Sequence, residues 1–323
     1  MTGGRAAAAA APARADARPH PAAETAPGRW ELLRALGALA AGPPAATAGP
    51  AASLGLRRWS AAEHTRAFVL SLPPYASVYL GPEGKLGGEG ADRVAGVWRA
   101  VGLAPPGDAD HLAAILALYA ELGEASQAAA TRQARDRLAH LRTAVLWEQL
   151  CSWVPVYLDA IRGDPPFAPW ADLLDRALRR EAALSEPPAE LPLALRRAPR
   201  GPAAGGGRRD LLDAVTAPVR AGFVLSHADL AAAARQSGTG LRRGERRFAL
   251  AAMLEQDPAA ALAWLGRHAK RWSGLHARRA AARPGAGRAD PARWWARRAA
   301  DAAAVLGRLA AAAQAARAGP GGR

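Results

Sequence analysis

The sequence predicts an all-α protein, and three observations carry that prediction. Ala, Leu, Arg and Glu are all strong helix formers, alanine being especially abundant, and β-branched residues are sparse. Apolar residues recur at helical spacing between Pro/Gly breaks. Half of the 323 residues are hydrophobic, which suffices for a substantial core. Residues 1–27 read as a disordered Ala/Pro/Arg tail; the alanine run that follows Arg5 is too short and too weakly hydrophobic for a secretory signal. RWELLRALGALAAGPP (29–44) reads as an amphipathic helix with Trp30, Leu33, Leu36 and Leu39 near helical spacing, stopped by Gly42-Pro43-Pro44, and 43–55 reads as a linker. Ser60 and Glu63 form a capping box, and the helix they start runs through Phe68 and Val69 to Pro73-Pro74. ADRVAGVWRAVGL gives the next helix, ending at Gly102.

GDADHLAAILALYAELGE (107–124) starts a helix with acidic residues in its first turn, favourable against the positive helix end. Leu112, Ile115, Leu116, Tyr119 and Leu122 share one face of it. The segment 125–162 reads as long and helical, with Leu138, Leu141, Val145 and Trp147 in core roles and Pro155 marking a kink or break. A helix over 168–184 follows. SEPPAELPLALRRAPRGPAAGGGRR (185–209) reads as a Pro/Gly/Arg linker that does not pack tightly. Beyond it, Ser226 caps a helix, 243–256 and 258–274 give two more, and 290–318 supplies a last amphipathic one. The expected organisation is a tail (1–27), a helical domain (28–185), a flexible linker (186–209), a helical extension (210–276) and a basic linker with a terminal helix (277–323).

The net charge of +15 is unevenly distributed. Residues 196–323 hold 24 Arg/Lys and 8 Asp/Glu, whereas 60–125 hold 8 acidic and 4 basic side chains. An acidic and a basic segment on one chain need not share a partner. Lys85 and Lys270 are the only lysines, so the arginine excess reads as compositional bias. No stretch reaches transmembrane length, and the single cysteine, Cys151, sits in an apolar run where a buried, inert thiol is expected. The expectation is a cytoplasmic, monomeric protein without a cofactor.

Several chemistries find no support. GPEGKL (81–86) has two residues between its glycines where a phosphate loop needs four, and Leu86 follows Lys85 where that loop needs Ser or Thr. Pro82 lacks an N–H donor and Glu83 adds negative charge where an anion would sit. There is no G-x-S-x-G, and His111, His140 and His227 lie far apart without zinc-site spacing. Neither an enzyme nor a metal site is expected.

The loop PPYASVYLGPEGKLGGE (73–89), the helix start GDADHLAAILALYAEL and the helix HLRTAVLWEQLCSWVPVYLDAI occur in an order and spacing that resembles the TorD/DmsD family of molybdoenzyme chaperones. The likeness covers roughly 28–185, and its most specific elements are Tyr75, Ser77, Tyr79 and Leu80, the Asp110-His111 pair, and Trp153-Val-Pro155. Residues 217–258 and 261–276 look like the C-terminal extension of a longer subgroup. Ile115 stands where the family commonly has Glu, so no role for that carboxylate carries over.

The resemblance implies an all-helical bundle that binds an apo-molybdoenzyme catalytic subunit or its twin-arginine signal peptide before cofactor insertion and export. Such a signal presents paired guanidinium groups and an apolar run, so its receptor needs carboxylates beside an apolar surface. Segment 60–125 offers Glu83, Glu89, Asp92, Asp108 and Asp110 with Tyr75, Val78, Tyr79 and Leu80. The expected client-binding set is therefore Tyr75, Ser77, Tyr79, Leu80, Asp108, Asp110 and His111. Purely structural roles compete with it: Asp108 as a helix N-cap, Asp110 complementing the helix dipole, His111 fastening the helix to the loop, and the tyrosines as core aromatics. The alternative function is nucleic-acid binding through Arg242, Arg243, Arg246 and Arg247, against which these arginines read as solvated faces. Neither nucleic acid nor membrane insertion is expected.

Overall fold

The computed structural model describes residues 27–242, 244–282 and 289–318. Residues 1–26 of the expected tail, Arg243, and the 283–288 and 319–323 parts of the basic C-terminal region lie outside the described residues. Apart from one isolated bridge, the regular structure among the described residues is helical.

Helix α1 (Pro27–Ala41) buries Trp30, Leu33, Leu36 and Leu39, as its spacing predicts. Where 43–55 reads as a linker, α2 (Ala48–Ser53) forms, because its alanines favour helix and Pro50 sits in the first turn, which needs no N–H donor. Helix α3 (Ala61–His64) starts on the expected capping box: Glu63 N donates to Ser60 Oγ at 3.2 Å and Ser60 N to Glu63 Oε2 at 2.8 Å. It runs on as a π-helical stretch, Thr65–Ser71, up to the two prolines. A short α4 (Ala76–Leu80), then α5 (Gly88–Ala100) and α6 (Leu112–Ala128) follow.

Helix α6 begins at Leu112 with His111 as its N-cap, so Asp108 and Asp110 lie in the preceding turn and not in the first helical turn. The five apolar residues assigned to one face of α6 are all buried, and Gly123 lets α1 approach: a Cβ there would meet the Trp30 ring at 2.4 Å. The 125–162 segment is divided. Helix α7 (Arg132–Ala144) continues as the π-helical stretch Val145–Leu150, and α8 (Val154–Ile161) starts anew with Pro155 in its first turn. Pro155 thus begins a helix and does not kink one, as a residue lacking an N–H does at least cost. Helix α9 (Ala168–Ala183) closes the body with Trp170 buried.

Within the stretch read as a flexible linker, α10 (Leu193–Arg196) buries Ala194 and Leu195, and Leu193 N donates to Glu148 Oε2 at 2.7 Å. The apolar residues between Leu191 and Leu195 are its means of attachment. The extension consists of α11 (Arg208–Thr216), α12 (Pro218–Ala221), α13 (His227–Ser237, capped by Ser226), α14 (Arg246–Gln256), α15 (Pro258–Ala281) and α16 (Pro291–Ala318). Helices α15 and α16 pair antiparallel, with Ser273 Oγ donating to Ala296 O at 3.0 Å and Gly266 opposite Gly307.

One hydrophobic cluster runs from Trp30 to Ala310, so body and extension share a core. Trp295 Nε1 donates to Ser152 O at 2.8 Å across the junction. Beside it, Arg279 from α15 reaches Asp159 at 2.5 Å and Asp175 at 2.7 Å, and Arg162 bonds both of those carboxylates from the body side. Gly222 takes φ +78° after α12, and a Cβ there would lie 2.2 Å from Ala299 N. Only a glycine permits that turn and that approach of α16 together.

Candidate functional site

The 73–89 loop is fastened to the start of α6 by backbone and side chain together. Tyr75 and His111 form an isolated antiparallel bridge, with Ala76 N donating to Asp110 O at 2.9 Å and Leu112 N to Pro74 O at 2.8 Å. Ser77, fully buried, donates its N–H to Asp110 Oδ2 at 3.0 Å, while its Oγ accepts the Gly87 N–H at 3.2 Å and so closes the turn. A Cβ on Gly90 would lie 2.9 Å from Ser77 Cα, so that glycine brings α5 against the loop. The Asp110 carboxylate therefore satisfies a first-turn N–H of α4, which no helical carbonyl reaches.

His111 caps α6 by accepting the Ala113 N–H on Nδ1 at 3.1 Å, and its ring meets Tyr75 edge-on at 4.7 Å. Burial pushes its imidazole pKa down, against the fields of Asp108 and Asp110. A neutral ring with an acceptor Nδ1 is what the cap requires. Burial, reinforced by the same two carboxylates, pushes the Tyr75 hydroxyl up.

The expected site residues fall into two groups. Ser77, Tyr79, Leu80, Asp110 and His111 are buried. Tyr79 stacks on Trp153 at 5.1 Å and meets Tyr157 edge-on at 5.5 Å, and burial holds its hydroxyl far above the usual range. Tyr75 is half-buried and Asp108 is exposed, not a helix cap; its carbonyl accepts the His111 N–H at 2.9 Å. Glu83 in the loop, Glu89 in the first turn of α5 and Asp92 just beyond that turn are exposed.

On another flank the loop meets the extension across a cleft of 540 Å³. Lys85 and Leu86 face Arg209, Arg220, Arg246 and Arg247, with Glu83, Asp213 and Glu245 also lining it. Gly84, at φ +64°, lets the turn close on the extension, since a Cβ there would lie 2.7 Å from Ala217 Cα. GPEGKL is thus a turn packed against another segment. Arg246 donates to Leu225 O at 2.9 Å, and burial pushes its guanidinium down, with Tyr79 opposing. Arg247 pairs with Asp213 at 2.7 Å. Arg246 and Arg247 entered the sequence reading only as candidates for nucleic acid, and Arg209, Asp213, Arg220 and Glu245 did not enter it.

Among the described residues no group of three His, Cys, Asp or Glu is placed to hold a metal, and no helix is long and apolar enough to cross a membrane. Cys151 is buried.

Residues 30–159 match the family model described as "Nitrate reductase delta subunit". That family comprises chaperones of molybdoenzyme maturation, not catalysts, and the match is consistent with the TorD/DmsD likeness. Searches of the curated proteins and of the solved structures find no match.

Proposed function

We propose that this protein is a cytoplasmic, monomeric chaperone that binds the apo form of a molybdenum-cofactor oxidoreductase, or its twin-arginine signal region, before cofactor insertion and export. The observation that carries this reading is the clamp between the 73–89 loop and the start of α6, which lies wholly inside the family-matched region. Asp108, Glu83, Glu89 and Asp92 supply exposed carboxylates for guanidinium groups, and Tyr75 supplies a half-buried aromatic edge. Ser77, Tyr79, Leu80, Asp110 and His111 act from beneath by fixing the shape that the client meets.

Calorimetric titration of the client's twin-arginine peptide into the wild type, Asp108→Asn and Tyr75→Ala tests this. Both variants bind more weakly on this account, by about 1 kcal/mol for the solvent-screened carboxylate. Equal binding by all three proteins would move the site elsewhere. The nucleic-acid alternative draws less support from the geometry. Arg246 and Arg247 are engaged with Leu225 and Asp213 and so do not present a row of unpaired cations to phosphates.

A further inference from the structure

A second cleft, of 790 Å³, lies along α15 on the extension, away from the 73–89 loop. Trp264 and His268 sit at its floor, and Arg267, Lys270, Arg271 and Arg278 line it as cations. No carboxylate lines it. Among the described residues none of these four cations has an ion-pair partner; Arg271 approaches a ring nitrogen of His268 at 2.8 Å. Arg279, on the same helix, is by contrast engaged with Asp159 and Asp175 of the body. Helix α15 therefore directs its paired arginine inward and leaves four cations around an opening. Gly274 lies between Arg271 and Arg278 and keeps side-chain bulk out of that opening, and Leu275 adds an apolar wall.

We propose that this cleft docks an acidic peptide segment of a partner protein, with carboxylates on the cationic rim and an apolar side chain on the floor. Charge complementarity selects the occupant: four cations line the cleft against one nearby carboxylate, Asp229, which lies 3.9 Å from the His268 ring on the floor, so the opening favours added carboxylates. Dimensions agree with this. Arg267 to Arg278 spans eleven residues of helix, about 16 Å, the length of roughly five residues of extended chain.

The floor argues for peptide over nucleic acid. Single strands bind where aromatic faces are open to stack on bases. Here the Trp264 indole is buried and stacked on His268 at 4.9 Å and 19°, and its Nε1 already donates to Gln236 Oε1 at 3.1 Å. Its face is covered, and what remains is an apolar surface suited to a side chain.

The test is fluorescence anisotropy on the full chain. The probe is a labelled synthetic heptapeptide with Glu at alternate positions and a central Leu. Competitors are the same peptide with Gln for Glu, and a twelve-nucleotide single-stranded DNA. The variants are Lys270→Gln/Arg278→Gln in the cleft and Arg297→Gln/Arg308→Gln on exposed positions of α16, which remove equal charge. The proposal expects the Glu peptide to bind, the cleft pair to weaken it at least tenfold, and the α16 pair to change it less than twofold. Equal loss with both pairs, equal binding of the Gln peptide, or tighter binding of the DNA would each overturn it. The proposal stands apart from the 73–89 face, so twin-arginine peptide binding is expected to survive the cleft variants.

Discussion

Removing Arg279 is the perturbation that most directly tests how the extension is held. Its side chain is 9 % exposed, and it bridges Asp159 (9 %) and Asp175 (4 %), which lie on two helices of the body. Breaking a buried ion pair from one side costs about 3–5 kcal/mol, because the carboxylates left behind have lost their hydration. Here the loss is moderated: Asp159 retains Arg162 at 2.6 Å, and Asp175 retains Arg162 at 2.8 Å together with Arg179. Arg279→Ala is therefore expected at the lower end, about 3 kcal/mol. For a chain of this size that is a fall of roughly 4 °C in Tm. Arg279→Lys keeps the charge but not a fork that spans two carboxylates, so an intermediate loss is expected. Urea denaturation of the wild type and both variants at pH 7 is the assay. The Asp175 carboxyl is held far below the usual range by Arg179 and Arg279, which outweigh its burial. Its contribution is thus complete above the unfolded value near 3.9 and lost only in stronger acid, so pH 7 measures the whole effect. A loss under about 0.5 kcal/mol for Arg279→Ala would refute the inference that this cluster fastens body and extension.

Asp110→Ala leaves the buried Ser77 N–H without its acceptor and is expected to cost about 1–3 kcal/mol, whereas Asp110→Asn retains an acceptor oxygen and costs less; chemical denaturation of the pair distinguishes them. Gly222→Ala meets both a positive φ and a 2.2 Å approach to Ala299 N, so a loss above about 3 kcal/mol or failure to accumulate as folded protein is expected, and a normal melting curve would show that α16 shifts freely. Burial pushes His276 down to about 4, against the Gly222 carbonyl and Asp159, so below the unfolded value near 6.5 the unfolded chain binds a proton that the folded one refuses. Stability is then expected to fall on acidification between about pH 6.5 and 4, by roughly 1.4 kcal/mol per pH unit from this residue at most, with His64, His111 and His268 shifted in the same direction; urea midpoints that stay flat from pH 7 to 5 would contradict it.

Much of the helical order was legible because its signals are local. The Ser60/Glu63 capping box, the Ser226 cap and the spacing of Trp30, Leu33, Leu36 and Leu39 act within one or two turns, and the structure bears them out. The start of α6 misled for a reason of the same kind. Asp108 and Asp110 resemble helix-opening acids, yet the cap is His111, because the Asp110 carboxylate is bound to Ser77 thirty-three residues earlier. That contact is non-local, and nothing in the spacing of the turn announces it. The burial of Tyr79 and Leu80 depends likewise on Trp153 and on the arrival of the extension. The Arg279 cluster joins residues more than a hundred positions apart, and Asp159 and Asp175 lie outside the acidic segment 60–125, so no signal in the sequence announced it.

Hydrogen–deuterium exchange on the full chain, with and without the client's twin-arginine peptide, tests the central claim most directly. The account predicts slowed exchange at amides of 81–89 and 107–111, flanking the rim that Asp108 and Tyr75 present, with α15 unchanged. Slowing confined to 241–247, or none at all under saturating peptide, would contradict the placement of the client site on the 73–89 loop.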